Sequence, residues 1–126
     1  MRYIGVDLHK NTFYVCRQDL QENREYREYR MEDLGEFITE LQREDLVAVE
    51  ATGNSRYFAD QLRSHVKQVK VVNPTQFKVI KNSIKKTDKH DAELLALFLS
   101  RGMLPEIRVP EALQAQLKSL GQTRDK

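Results

Sequence analysis

In the first ten residues apolar side chains recur at every second position, and after Met31 the apolar spacing changes to the period of a helix. In "RYIGVDLHK" the residues Ile4, Val6 and Leu8 point one way and Tyr3, Gly5 and Asp7 the other, which predicts a strand. "NTFYVCRQD" is β-branched and aromatic, and "HKN" between the two runs predicts a tight turn and a hairpin. "REYREYRM" alternates charge with Tyr26 and Tyr29, as suits an exposed third strand at a sheet edge. "MEDLGEFITELQRE" then sets Leu34, Phe37, Ile38 and Leu41 on one helical face. The short apolar runs "DLVAVEAT" and "VKVVNP" read as buried strands. Between them "GNSRYFADQLRSH" reads as a turn, a cap at Asn54 or Ser55, and a helix. "TQFKVIKNSI" predicts a short helix, and "DAELLALFLSRG" a helix that stops at Gly102.

Three strands followed by alternating helix and strand dictate a mixed sheet flanked by helices, an α/β fold. The order matches the ribonuclease H-like fold, and other α/β domains share it. A chain of 126 residues is one domain by size and buries a core without disulfides. The single Cys16 excludes a disulfide framework and suits a reducing compartment. No apolar run reaches the roughly 18 residues that span a bilayer, and "RYIGVDLH" follows Met1 with no signal-peptide pattern. A soluble, cytoplasmic protein with no membrane partner is the expectation.

Charge is distributed unevenly. Residues 1–60 carry 8 Lys/Arg against 13 Asp/Glu, whereas residues 61–90 carry 8 Lys/Arg against one acid, Asp88. Such a basic block neutralises phosphates and releases counterions, or it is a solvated face; charge alone leaves both open.

Acids gather where they are costly. Asp7 and Glu50 each end a run that should be buried, and an ionised carboxylate there requires a partner or a metal. Should the first and fourth strands be neighbours, both emerge at one end of the sheet. Asp88 and Asp91, three residues apart, share a face of the last helix's first turn. Convergence of the four would give hard Mg²⁺ ions the oxygen ligands they prefer, in the two-ion arrangement that serves phosphoryl transfer. The lysines around "KKTDKHDAELLALF" would offset the repulsion between acids and a phosphate backbone. Read singly, Asp88 is a good N-cap and Asp91 suits a helix's first turn. His9 would share a face with Asp7, and could be a ligand, if the strand continues; it is read first as a turn histidine, with His90 as pointing off the aspartates' face, Phe77 as core and Cys16 as buried. "ATGNS" resembles a phosphate-holding turn, with a plain strand-to-helix turn as its default.

Taken together, "YIGVDLHKNTFYV", "VAVEATGNSRYFADQL", "VKVVNPTQFKVIKNS" and "KKTDKHDAELLALF" resemble the N-terminal domain of DEDD transposases of bacterial insertion sequences and of Piv-type DNA invertases. The likeness runs from residue 1 to about 110, and "K-T-D-x-x-D-A" after "V-V-N-P" is its most specific element. It implies a RuvC-like branch of the ribonuclease H-like fold, a mixed five-stranded sheet flanked by helices. It implies that Asp7, Glu50, Asp88 and Asp91 are the catalytic and metal-binding acids, with Mg²⁺ as cofactor and Mn²⁺ as its substitute. It further implies DNA strand cleavage and exchange, with DNA and in some members a guide RNA as partners. Lys10, Lys78, Lys81, Lys85, Lys86 and Lys89 are the candidate nucleic-acid contacts.

Residues 1–104 are expected to form the catalytic domain, and 105–126 a connector and the start of a helix. That helix would lead to a C-terminal, serine-bearing domain which this chain lacks. Leu113, Leu117 and Leu120 stand at coiled-coil-like spacing and predict a homodimer or higher oligomer through that helix. Two other functions compete. A non-catalytic module would use the basic segment 63–89 to bind DNA or RNA. A sugar-kinase or actin-type half-domain would need a later glycine that "GVDLHKN" does not have.

Overall fold

The computed structural model describes residues 1–83 and 91–104, with the side chains of Lys81 and Ser83 left out. Five strands, β1 (Tyr3–Leu8), β2 (Thr12–Gln18), β3 (Arg24–Arg30), β4 (Leu46–Glu50) and β5 (Gln68–Val72), form one sheet in the order β3-β2-β1-β4-β5. β1 pairs antiparallel with β2 and parallel with β4; β2 pairs antiparallel with β3, and β4 parallel with β5. Helices α1 (Leu34–Thr39), α2 (Ser55–Leu62), α3 (Pro74–Ser83) and α4 (Asp91–Ser100) complete the described chain. This is the mixed five-stranded, ribonuclease H-like α/β architecture that the sequence predicts.

Alternation along the strands separates two cores. On one face Ile4, Val6, Phe13, Val15, Val47 and Val49 pack with Phe37 of α1 and Phe58 and Leu62 of α2. Phe13 is the hub: it stacks on Tyr29 at 5.1 Å between centroids and meets the edges of Phe37 and Phe58 at 5.2 and 5.0 Å. On the other face Ala48 and Val72 pack with Phe77 of α3 and Leu95, Phe98 and Leu99 of α4. Cys16 is sealed there by Ala92 and Ala96.

Local chemistry fixes the element ends. Asn73 Oδ1 accepts from Gln76 N at 3.0 Å, and Pro74 opens α3, where a missing N–H costs nothing. At the far end of α4, Met103 N donates to Phe98 O and Gly102 N to Leu99 O, with Gly102 at φ +67°. These two bonds form a Schellman cap, and Gly102 supplies the left-handed residue it needs. The first helix is shorter than its apolar pattern predicts: a 3-10 turn over Met31–Asp33 precedes α1, which stops at Thr39. The carbonyl of Glu40 is taken by Arg2 Nη2 at 2.9 Å, and Asp45 Oδ2 accepts from Gln42 N at 2.8 Å. Those bonds turn the chain into β4, while Leu41 still packs on the core.

One polar network crosses the first face. Arg17 Nη2 donates to Tyr29 Oη at 2.6 Å and to Glu40 Oε1 at 2.9 Å, and Tyr29 Oη donates to the same carboxylate. The Tyr29 hydroxyl, then Arg17 and Arg27, hold the Glu40 carboxyl below its ordinary value of 4.5. A depressed carboxyl contributes stability that is fully present above its unfolded pKa and is lost as pH falls through the folded one. Glu40→Gln is therefore expected to flatten the acid side of the stability–pH profile below about pH 4.5. Urea melts between pH 3 and 6 check this; an unchanged acid limb would exclude Glu40 as a contributor.

Candidate metal and nucleic-acid site

Where α4 lies decides whether the acids can meet. A Cβ built on Gly5 would stand 2.0 Å from Ala92 O, 2.7 Å from Ala96 N and 2.9 Å from Leu95 Cβ, so α4 rests directly on the β1 backbone. Gln18 Nε2 donates to Ser100 Oγ at 3.1 Å, and Gln18 lies opposite Tyr3, at the start of β1. The end of α4 is thus at the beginning of β1, and the helix runs antiparallel to the strand. Asp91 opens α4 at the end where Asp7 leaves β1.

Asp7 shares the α4 face with Gly5, two residues before it. β1 and β4 are in register with Val6 opposite Val49, so Asp7 and Glu50 follow on adjacent parallel strands. Glu50 shares its face with Ala48, which packs in the α4-side core. All three carboxylates are half-buried. The sequence expectation that β1 and β4 are neighbours holds. Asp88 lies outside the described residues, and among those described no group of three or more His, Cys, Asp or Glu is close enough to hold a metal ion. Asp7, Glu50 and Asp91 all carry carboxylate oxygens, the ligand type that hard divalent cations prefer.

His9 stands in the turn after β1, its N–H donating to Thr12 O at 2.9 Å, and its Nε2 is 3.3 Å from Asp7 Oδ2. His9 is thus in the turn, as expected, and also on the side of Asp7, as the alternative reading had it. Lys10 is exposed in the same turn, and Lys78 is exposed on α3 one residue after the buried Phe77. Lys85, Lys86 and Lys89 lie outside the described residues, as do Leu113, Leu117 and Leu120 of the predicted dimer helix. Ser55 closes the "ATGNS" turn internally: Oγ accepts from Thr52 N at 3.0 Å and donates to Thr52 O at 2.9 Å. Asn54, at the cap position of α2, makes no side-chain capping bond. That is the plain strand-to-helix turn.

A buried acid that sequence reading did not single out is Glu93, 8% exposed on α4. It lies 3.8 Å from Arg24 of β3 and bonds Tyr26, whose hydroxyl burial and that bond push up to about 12. Glu93 anchors α4 across the sheet.

A parallel β1–β4 pair with acids at its carboxyl ends, and a helix bringing a third acid to that end, defines the RuvC-like class. Residues 4–126 match the transposase family of the DEDD type, and the chain belongs to that family. It is 32% identical over 126 residues to a probable family 20 transposase of Pseudomonas aeruginosa. The alignment covers 98% of this chain and 36% of that relative, so the chain spans about a third of the relative's length. Among the described residues no helix is long and apolar enough to cross a membrane.

Proposed function

We propose that this chain is the acidic, metal-binding portion of a transposase that cuts and exchanges DNA strands. The observation that carries the reading is the antiparallel seating of α4 on Gly5, which sets Asp91 at the end of the sheet where Asp7 and Glu50 emerge. Asp7, Glu50, Asp88 and Asp91 would hold Mg²⁺ or Mn²⁺. Two such ions, when bound, stabilise the attacking and leaving oxygens of a phosphodiester. The protein's part is to hold hard oxygen donors on rigid elements, two on strands and one on a packed helix. Lys10, Lys78, Lys81, Lys85, Lys86 and Lys89 would neutralise backbone phosphates and lower the repulsion between DNA and the acids.

Calorimetric titration of Mn²⁺ and Mg²⁺ into the chain tests this, with wild type beside Asp7→Asn and Glu50→Gln. Saturable binding is expected in wild type and a loss of at least about tenfold in either variant, since each removes a charged ligand. A folded wild type that binds no ion, or variants that bind equally well, would leave only the non-catalytic nucleic-acid module.

A further inference from the structure

We propose that β3 is a homotypic docking edge, through which two copies of this chain join their sheets into one. Among the described residues nothing pairs with the outer side of β3. The ladder with β2 fixes which backbone groups point outward. Asp19 N donates to Asn23 O at one end of that ladder, and Met31 N to Asn11 O at the other. Counting between these bonded pairs along the register, alternation makes Arg17–Glu25, Val15–Arg27 and Phe13–Tyr29 the hydrogen-bonded pairs. The N–H and C=O groups of Arg24, Tyr26 and Glu28 therefore face the open edge.

Side-chain charge then selects one register. Antiparallel pairing about a two-fold axis through Tyr26 sets Tyr26 against Tyr26 of the second copy. It also sets Arg24 against Glu28, and Glu25 against Arg27, each twice. Every residue whose backbone groups face outward meets another such residue, and every charged residue from 24 to 28 meets its opposite. Centring the axis on Arg27 would oppose Arg27 to itself and Arg24 to Arg30; centring it on Glu28 would oppose two glutamates. Charged side chains normally keep an edge from pairing. Here their order permits pairing with a second copy in one register and disfavours its neighbours. Glu25 and Glu28 have no ion-pair partner among the described residues, so both are available to a second copy. The axis stands perpendicular to the sheet, so the α4 faces of both copies lie on one side of the joined sheet, and the two acidic ends lie at its opposite ends along the strands.

Sedimentation velocity over a concentration series tests the dimer. Wild type is expected to dimerise reversibly, and Glu28→Lys, which places Lys opposite Arg24 twice, to weaken the dimer about tenfold or more. Glu28 is exposed, so the variant should keep the wild-type circular dichroism. The register is read by oxidation of Tyr26→Cys in a Cys16→Ala background, because Cys16 lies opposite Tyr26 within one chain. Cross-axis Cα atoms about 5.5 Å apart suit a disulfide, so a covalent dimer should form readily. Glu28→Cys in the same background should not crosslink, since its copies lie about 13 Å apart along the strands. A monomer at every concentration, a dimer indifferent to Glu28→Lys, or equal crosslinking by the two cysteine variants would each overturn the proposal. An indifferent dimer would belong to another surface.

Discussion

Gly5→Ala is expected to destabilise the chain by about 3 kcal/mol or more, a fall in Tm on the order of 10 °C. The added methyl would meet the carbonyl of Ala92 and the amide of Ala96, backbone atoms that cannot swing aside as a side-chain tip can. Relief requires α4 to lift from the sheet, which opens the contact that buries Cys16, Ala92 and Ala96. Gly5→Val should fail to reach the native packing at all. Gly35→Ala is the matched control: beyond its chain neighbours and its own helix backbone nothing lies within 4 Å of the added Cβ, and it sits in the first turn of α1. That exchange should gain about 0.5–1 kcal/mol through helix propensity and the unfolded chain. Chemical denaturation of both variants reads the contrast. Equal stability of Gly5→Ala and wild type would refute the close seating of α4 on β1.

Gly5 also shows where sequence reading stops. The alternation of "YIGVDL" places it with Tyr3 and Asp7, and that placement is correct. Its reason for being glycine is a backbone contact with residues about ninety positions away, which no local pattern records. The strands, their faces, the edge position of β3 and the stop at Gly102 are legible because period, turn chemistry and capping are local. Adjacency of Asp7 and Glu50 follows from strand order, which the alternation of helix and strand implies. The direction of α4 over β1 does not follow, because an apolar helix of either direction satisfies the same pattern. Nor do the Arg2–Asp45 and Arg17–Glu40 pairs, which join residues 43 and 23 positions apart. A charged residue in a strand shows its charge in the sequence but not its partner.

Phe13→Ala is expected to cost about 3–5 kcal/mol, since it removes a fully buried ring that three other rings enclose. Tyr29 would lose its stacking partner while still held by Arg17 and Glu40, so its ring cannot collapse freely into the space. The resulting cavity lies between the sheet and α1 and α2, on the face opposite α4. The two core variants should therefore differ in function although both lose stability. At a temperature where each remains folded, Phe13→Ala should bind Mn²⁺ as wild type does, because β1, β4 and α4 keep their seating. Gly5→Ala should bind it at least about tenfold more weakly, because lifting α4 carries Asp91 away from Asp7 and Glu50. Stability and Mn²⁺ affinity measured on the same two proteins separate a general loss of packing from the loss of one helix contact. Equal affinities would mean that α4 contributes no ligand. Weakened binding in Phe13→Ala would mean that the two faces of the sheet are mechanically coupled through β1.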